Sequence, residues 1–86
     1  MDIEKTCKYC KNYRTKVLKI TQKEMCDKLG LNIKNLSAFE NGRANNMLYI
    51  SYYYNLSSHY WKDRFLKDIY EYEREDVVIE KRYSFD

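Results

Sequence analysis

Residues 21–43 read TQKEMCDKLGLNIKNLSAFENGR, and the reading of this stretch decides the fold. Thr21 and Glu24 make the Thr-x-x-Glu pattern of a capping box. The hydroxyl accepts from the N–H of Glu24, and the carboxylate reaches back to the N–H of Thr21. Met25, Cys26 and Leu29 follow as an apolar stripe at helical spacing. Gly30 then supplies the positive φ that ends a helix. Asn32 caps the next helix, in which Leu36 and Phe39 face the core while Ile33, Lys34, Asn35 and Ala38 lie on the other side. Gly42 closes that helix. The stretch is two short helices joined by a tight glycine turn.

Outward from this centre the helical pattern continues. A first helix is expected over about residues 2–16, with Ile3, Cys7, Cys10, Arg14 and Val17 on one stripe and Tyr13 at its edge. Lys5, Lys8, Lys11 and Lys16 fall elsewhere, in water. A fourth helix is expected over about residues 46–55. Its Met47, Leu48, Ile50, Tyr52, Tyr53 and Tyr54 define no single buried stripe. Ser57 or Ser58 opens a fifth helix carrying Trp61, Phe65, Ile69 and Tyr72 at spacings near four, ending around residue 75. Beyond it Val77, Ile79, Lys81, Tyr83 and Phe85 alternate with Val78, Glu80, Arg82 and Ser84. That period of two predicts a short strand or extended arm, which needs a partner to be stable.

With 86 residues, no proline and two glycines, the chain is expected to form one all-α domain over 1–86. Its core is 21–43, and its C-terminal helix and arm are 58–86. No run approaches the ~20 apolar residues that span a bilayer. The opening Met1-Asp2-Ile3-Glu4-Lys5 lacks the apolar segment of a signal peptide. Three cysteines, an odd number, read as free thiols in a reducing compartment. A cytoplasmic protein without a membrane partner is expected. The net charge of +3 is uneven: residues 1–62 carry +6 and residues 63–86 carry −3. A basic front suits contact with phosphates, and an acidic back suits solvent or protein.

The residues Thr21-Gln22, Leu29-Gly30-Leu31, Leu36-Ser37 and Phe39-Glu40-Asn41-Gly42-Arg43 closely resemble the Cro/C1-type (XRE) helix-turn-helix family of phage repressors. The family pattern is roughly T-Q-x-E-L-A-x-x-L-G-[V/L]-S-x-x-x-I-S-x-x-E-N-G-[K/R]. Met25, Cys26, Asn32 and Leu36 are mild variants of it. The resemblance covers about residues 20–44 and implies a five-helix domain that binds double-stranded DNA. It implies phosphate contacts from Gln22, Lys23, Asn32, Asn41 and Arg43. It places Ile33, Lys34, Asn35 and Ala38 where the family's recognition helix meets base edges. Glu40 resembles a buried glutamate that pairs with an arginine of the first helix, here Arg14, although one residue more than the family spacing separates Arg14 from Thr21.

The side-chain chemistry fits these roles. Lys34 can donate to guanine, Asn35 can pair with adenine through two hydrogen bonds, and Ile33 or Ala38 can touch a thymine methyl. Lys23, Lys28 and Arg43 add salt-sensitive affinity that ignores sequence. One recognition helix reads few base pairs, so a homodimer on an inverted-repeat operator is expected. Its contacts are expected from Trp61, Phe65, Ile69, Val77, Ile79 and Tyr83.

The expected function is therefore a transcriptional regulator, a repressor of a phage or mobile element. The alternative is a protein-binding module on the same fold: an antirepressor, an antitoxin or an anti-CRISPR type of nuclease inhibitor. In that case the ten tyrosines and the acidic C-terminal half form the working surface, since half-buried aromatics are common at interfaces. Tyr49, Tyr52, Tyr53, Tyr54 and Tyr60 with Trp61 exceed what one small core is expected to hide.

Cys7-x-x-Cys10 does not extend to a zinc set, because Cys26 and His59 lack pair spacing. The two thiols read as small core residues. His59 reads as an ordinary polar residue near the start of the fifth helix. Asp68, Glu71, Glu75 and Asp76 read as a solvated helix face. No cofactor, metal or catalytic set is expected, and the chain is not read as an enzyme.

Overall fold

A computed structural model describes residues 3–44 and 46–72, and within them the chain is all-helical with five α-helices. They are α1 (Ile3–Tyr13), α2 (Gln22–Leu29), α3 (Ile33–Glu40), α4 (Tyr49–Asn55) and α5 (His59–Tyr72). The expected arm, with Val77, Ile79 and Tyr83, lies outside the described residues. α1 is the central element and packs against α3, α4 and α5, while α2 packs on α3 and α4 on α5.

Because three helices cover it, α1 buries a wider face than a single stripe. Thr6, Cys7, Tyr9, Cys10, Tyr13 and Arg14 are all buried, so Tyr13 belongs to the centre of the core and not to its edge. α1 does not stop at residue 16. It passes directly into a π-helical turn, Arg14–Leu18, which closes with the N–H of Lys19 donating to the carbonyl of Arg14. A π-turn accommodates one extra residue within a helix.

Lys19 leaves the turn in the left-handed region, with φ 56° and ψ 42°, and is the non-glycine residue recorded there. A side chain in this conformation costs about 1–2 kcal/mol. Glycine removes that cost but loses about 0.5–1 kcal/mol in chain entropy. Lys19→Gly is therefore expected to stabilise the fold by about 0.5–1 kcal/mol, raising the thermal midpoint by a few degrees. A melt followed by circular dichroism tests this, and an unchanged or lower midpoint refutes it.

The caps of α2 and α3 form as the local sequence dictates. Thr21 accepts from the N–H of Glu24 at 3.0 Å, and Glu24 accepts from the N–H of Thr21 at 2.9 Å. Gly30 ends α2 at φ 69°. Asn32 Oδ1 accepts from the N–H of Lys34 and the N–H of Asn35.

α4 begins later than the composition suggests, because Asn46 starts a tighter turn. Its side-chain oxygen accepts from the N–H of Leu48, and its carbonyl accepts from the N–H of Tyr49. Ser57 is not a cap for α5. It is buried, donates to the Tyr53 carbonyl at 2.8 Å and shares a hydrogen bond with the Tyr13 hydroxyl.

The core is tyrosine-rich, and its hydroxyls are paired. Tyr9, Tyr13 and Tyr53 are essentially inaccessible. Tyr9 donates to Asp68 at 2.8 Å and Tyr53 to Glu40 at 2.7 Å. Buried tyrosine demands such partners. Asp68 is thus a correction: it is 3% exposed and serves the core, not a solvated face. The core also takes more aromatic surface than the composition suggested. Phe65 lies between Tyr13 and Tyr53, with ring centroids 4.6 and 6.4 Å away. Tyr49, Tyr52 and Tyr54 are half-buried.

Candidate nucleic-acid interface

Glu40 sets the geometry of the helix pair. It is the last residue of α3, and its buried carboxylate gathers three other segments. Arg14 donates through Nε to Oε2 at 2.8 Å and through Nη2 to Oε1 at 2.9 Å. Gln22 at the start of α2 donates to Oε1 at 2.9 Å, and Tyr53 of α4 donates to Oε2. Arg14 Nη1 also donates to the Ile20 carbonyl just before α2. Burial alone raises the Glu40 pKa. The hydrogen bonds from Arg14, Gln22 and Tyr53, with the Arg14 charge, outweigh it and hold the carboxyl below its ordinary range. Arg14 makes these contacts from the first residue of the π-turn.

With α3 fixed on its Leu36–Phe39–Glu40 side, its remaining surface is determined. Ile33 is 46% exposed, Lys34 and Asn35 are exposed, and Ala38 is half-buried. At about 100° per residue, Lys34 and Ala38 share the outward centre, one turn apart, while Ile33 and Asn35 flank it about 160° from each other. The four expected readers are therefore not equivalent. Ser37, passed over in the sequence, lies between Ile33 and Lys34 on this surface and accepts from the Asn41 amide at 3.3 Å. Its signal was available, since residue 37 follows Ile33 by four and Lys34 by three.

The expected phosphate-contacting residues divide into groups. Asn32 spends its side-chain oxygen on the α3 cap and is exposed. Asn41 and Arg43 are exposed on a loop closed by Gly42 at φ 75° and by the N–H of Arg43 donating to the Ala38 carbonyl. Gln22 has one amide hydrogen committed to Glu40. Lys23 is exposed and pairs with Asp27 at 3.1 Å, a surface contact weak enough to yield to another anion. Gln22 and Lys23 line an open depression at the start of α2, together with Lys19, Thr21, Ile20, Thr15 and Arg14. The sequence reading missed Lys19 here, because its place depends on the left-handed turn.

The expected partner contacts on α5 need correction. Phe65 and Ile69 are consumed by the chain's own core, and Trp61 is half-buried against Tyr13. Among the described side chains of α5, the exposed large apolar ones are instead Tyr60, Leu66 and Tyr70. Cys7, Cys10 and Cys26 are free and buried, and burial pushes each thiol up from its ordinary pKa. Among the described residues no three His, Cys, Asp or Glu side chains are grouped to hold a metal ion. No described helix is long and apolar enough to cross a membrane. No family model, curated protein or solved structure matches the chain.

Proposed function

We propose that the chain is a sequence-specific double-stranded DNA-binding regulator of the Cro/C1-like kind, acting as a homodimer on an inverted repeat. The observation that carries this reading is the outward face of α3. It presents Lys34 at its centre and Asn35 and Ile33 at its flanks, on a helix held rigidly by the Glu40 network. Lys19, Lys23 and Arg43 supply cations for phosphates near either end of the helix pair. The three free thiols suit a reducing compartment, which supports a cytoplasmic location.

Selection from a random duplex library at physiological salt tests the proposal. An enriched inverted repeat supports it, and no enrichment overturns it. Lys34→Ala is expected to lose roughly 1–3 kcal/mol of discrimination at its base position. Asn35→Ala is expected to lose less, because Asn35 lies at the flank. Lys23→Ala is expected to weaken all sequences alike and lower the salt slope by about 1. If Lys34→Ala binds the selected site and scrambled DNA with the parental ratio, the assignment of Lys34 fails.

A second reading is favoured by the exposed Tyr60 and Tyr70, which suit a protein surface. In that reading the fold serves a protein-binding module of a phage or mobile element, and the DNA selection returns no motif.

A further inference from the structure

α5 has two opposite faces. Trp61, Phe65, Asp68 and Ile69 turn inward. Tyr60, Asp63, Lys67 and Tyr70 fall within about 80° on the other side at spacings of three, four and three. Leu66 borders them. Tyr60 is 69% exposed, Tyr70 61% and Leu66 47%.

The charges of the helix separate into two kinds. Lys62 lies over the Tyr54 ring at 5.3 Å. Arg64 lies over Trp61 at 5.4 Å and 3.9 Å from Asp68. Both are engaged within the chain. Asp63 and Lys67 are exposed and have no ion pair among the described residues.

The positions of this stripe are symmetric about residue 65, with the two charges exchanged. Tyr60 and Tyr70 are equidistant from it, and so are Asp63 and Lys67. A two-fold axis beside residue 65 sets two such helices antiparallel. Each Asp63 then meets Lys67 of the partner subunit, and each Tyr60 meets Tyr70 of the partner subunit. An isologous interface requires this kind of self-complementary patch.

We propose that the outer face of α5 pairs antiparallel with the same face of a second copy of this chain, through two Asp63–Lys67 contacts flanked by tyrosines. The stripe is about 15 Å long and covers a small part of the roughly 800 Å² per partner of a standard interface. The free chain therefore associates weakly and reversibly. This deepens the homodimer of the proposed function, but its test needs no DNA, so the two readings fail separately.

Sedimentation equilibrium of the full chain at low salt, from micromolar to millimolar, is the test. The parent is expected to show a reversible monomer–dimer equilibrium. Asp63→Lys and Lys67→Asp each place like charges opposite one another and are expected to weaken self-association about tenfold or more. An equimolar mixture of the two variants regains opposite charges at both contacts and is expected to associate. The double swap, D63K with K67D, is expected to recover self-association near the parental level. Both substituted positions are exposed, so unchanged helical circular dichroism is expected for every variant. A parent monomeric to millimolar concentration, single variants that associate like the parent, or a mixture that fails to associate would each overturn the proposal.

Discussion

Replacing Arg14 by alanine is expected to cost about 3–5 kcal/mol of folding stability. The guanidinium forms a two-point contact with a carboxylate whose side chain is fully inaccessible. Removing it leaves Glu40 with the donors Gln22 and Tyr53 but without a counter-charge. An 86-residue domain has about 4–13 kcal/mol in total. The variant therefore loses a large part of its margin, and its urea midpoint is expected to fall by roughly 2 M. A shift below about 0.5 M would show that the pair contributes little.

The same pair fixes the acid response. The folded Glu40 pKa is depressed below the unfolded value. Its contribution is therefore complete above the ordinary carboxylate range, about 4.3, and is lost as pH falls through the folded value beneath it. The parent is expected to weaken on acidification below that range. The stability gap between parent and Arg14→Ala is expected to narrow over the same interval. A gap independent of pH between neutral and about pH 3 would rule out Glu40 as its source.

What could be read in the sequence depended on distance along the chain. The Thr21–Glu24 box, the Gly30 turn and the Asn32 cap each act within four residues, so identity and spacing specified them before any packing was known. The Arg14–Glu40 pair, 26 residues apart, was accessible only through the family resemblance.

Two other core bonds link residues even farther apart. Tyr9 and Asp68 are 59 positions apart, and Tyr13 and Ser57 are 44 apart. No local rule joins them. A partial signal existed in α5, because Asp68 shares a helical face with Trp61 and Phe65 and so cannot be solvated when they are buried. The candidate reading face was legible in the pattern of Leu36 and Phe39 against Ile33 and Lys34. The half-burial of Ala38 one turn from the exposed Lys34 was not, since it depends on how the rest of the chain packs around the helix.

Phe65→Ala is expected to cost about 3–5 kcal/mol, and the nature of that loss separates two roles for α5. The ring is 0% exposed and lies 4.6 Å from Tyr13, 5.9 Å from Tyr9 and 6.4 Å from Tyr53, centroid to centroid. Truncation leaves a void among three tyrosines whose hydroxyls are tied to Ser57, Asp68 and Glu40. These bonds hold the rings in place and limit collapse into the space, which keeps the cost toward the upper end of the range. The loss belongs to one chain, so denaturation at two widely separated protein concentrations is expected to give the same difference from the parent. Tyr60→Ala is the contrasting case. That side chain is 69% exposed, so unfolding of the dilute chain is expected to change by less than about 0.5 kcal/mol while self-association weakens. A Phe65→Ala penalty that disappears on dilution would return Phe65 to the interface and take the core of this fold with it.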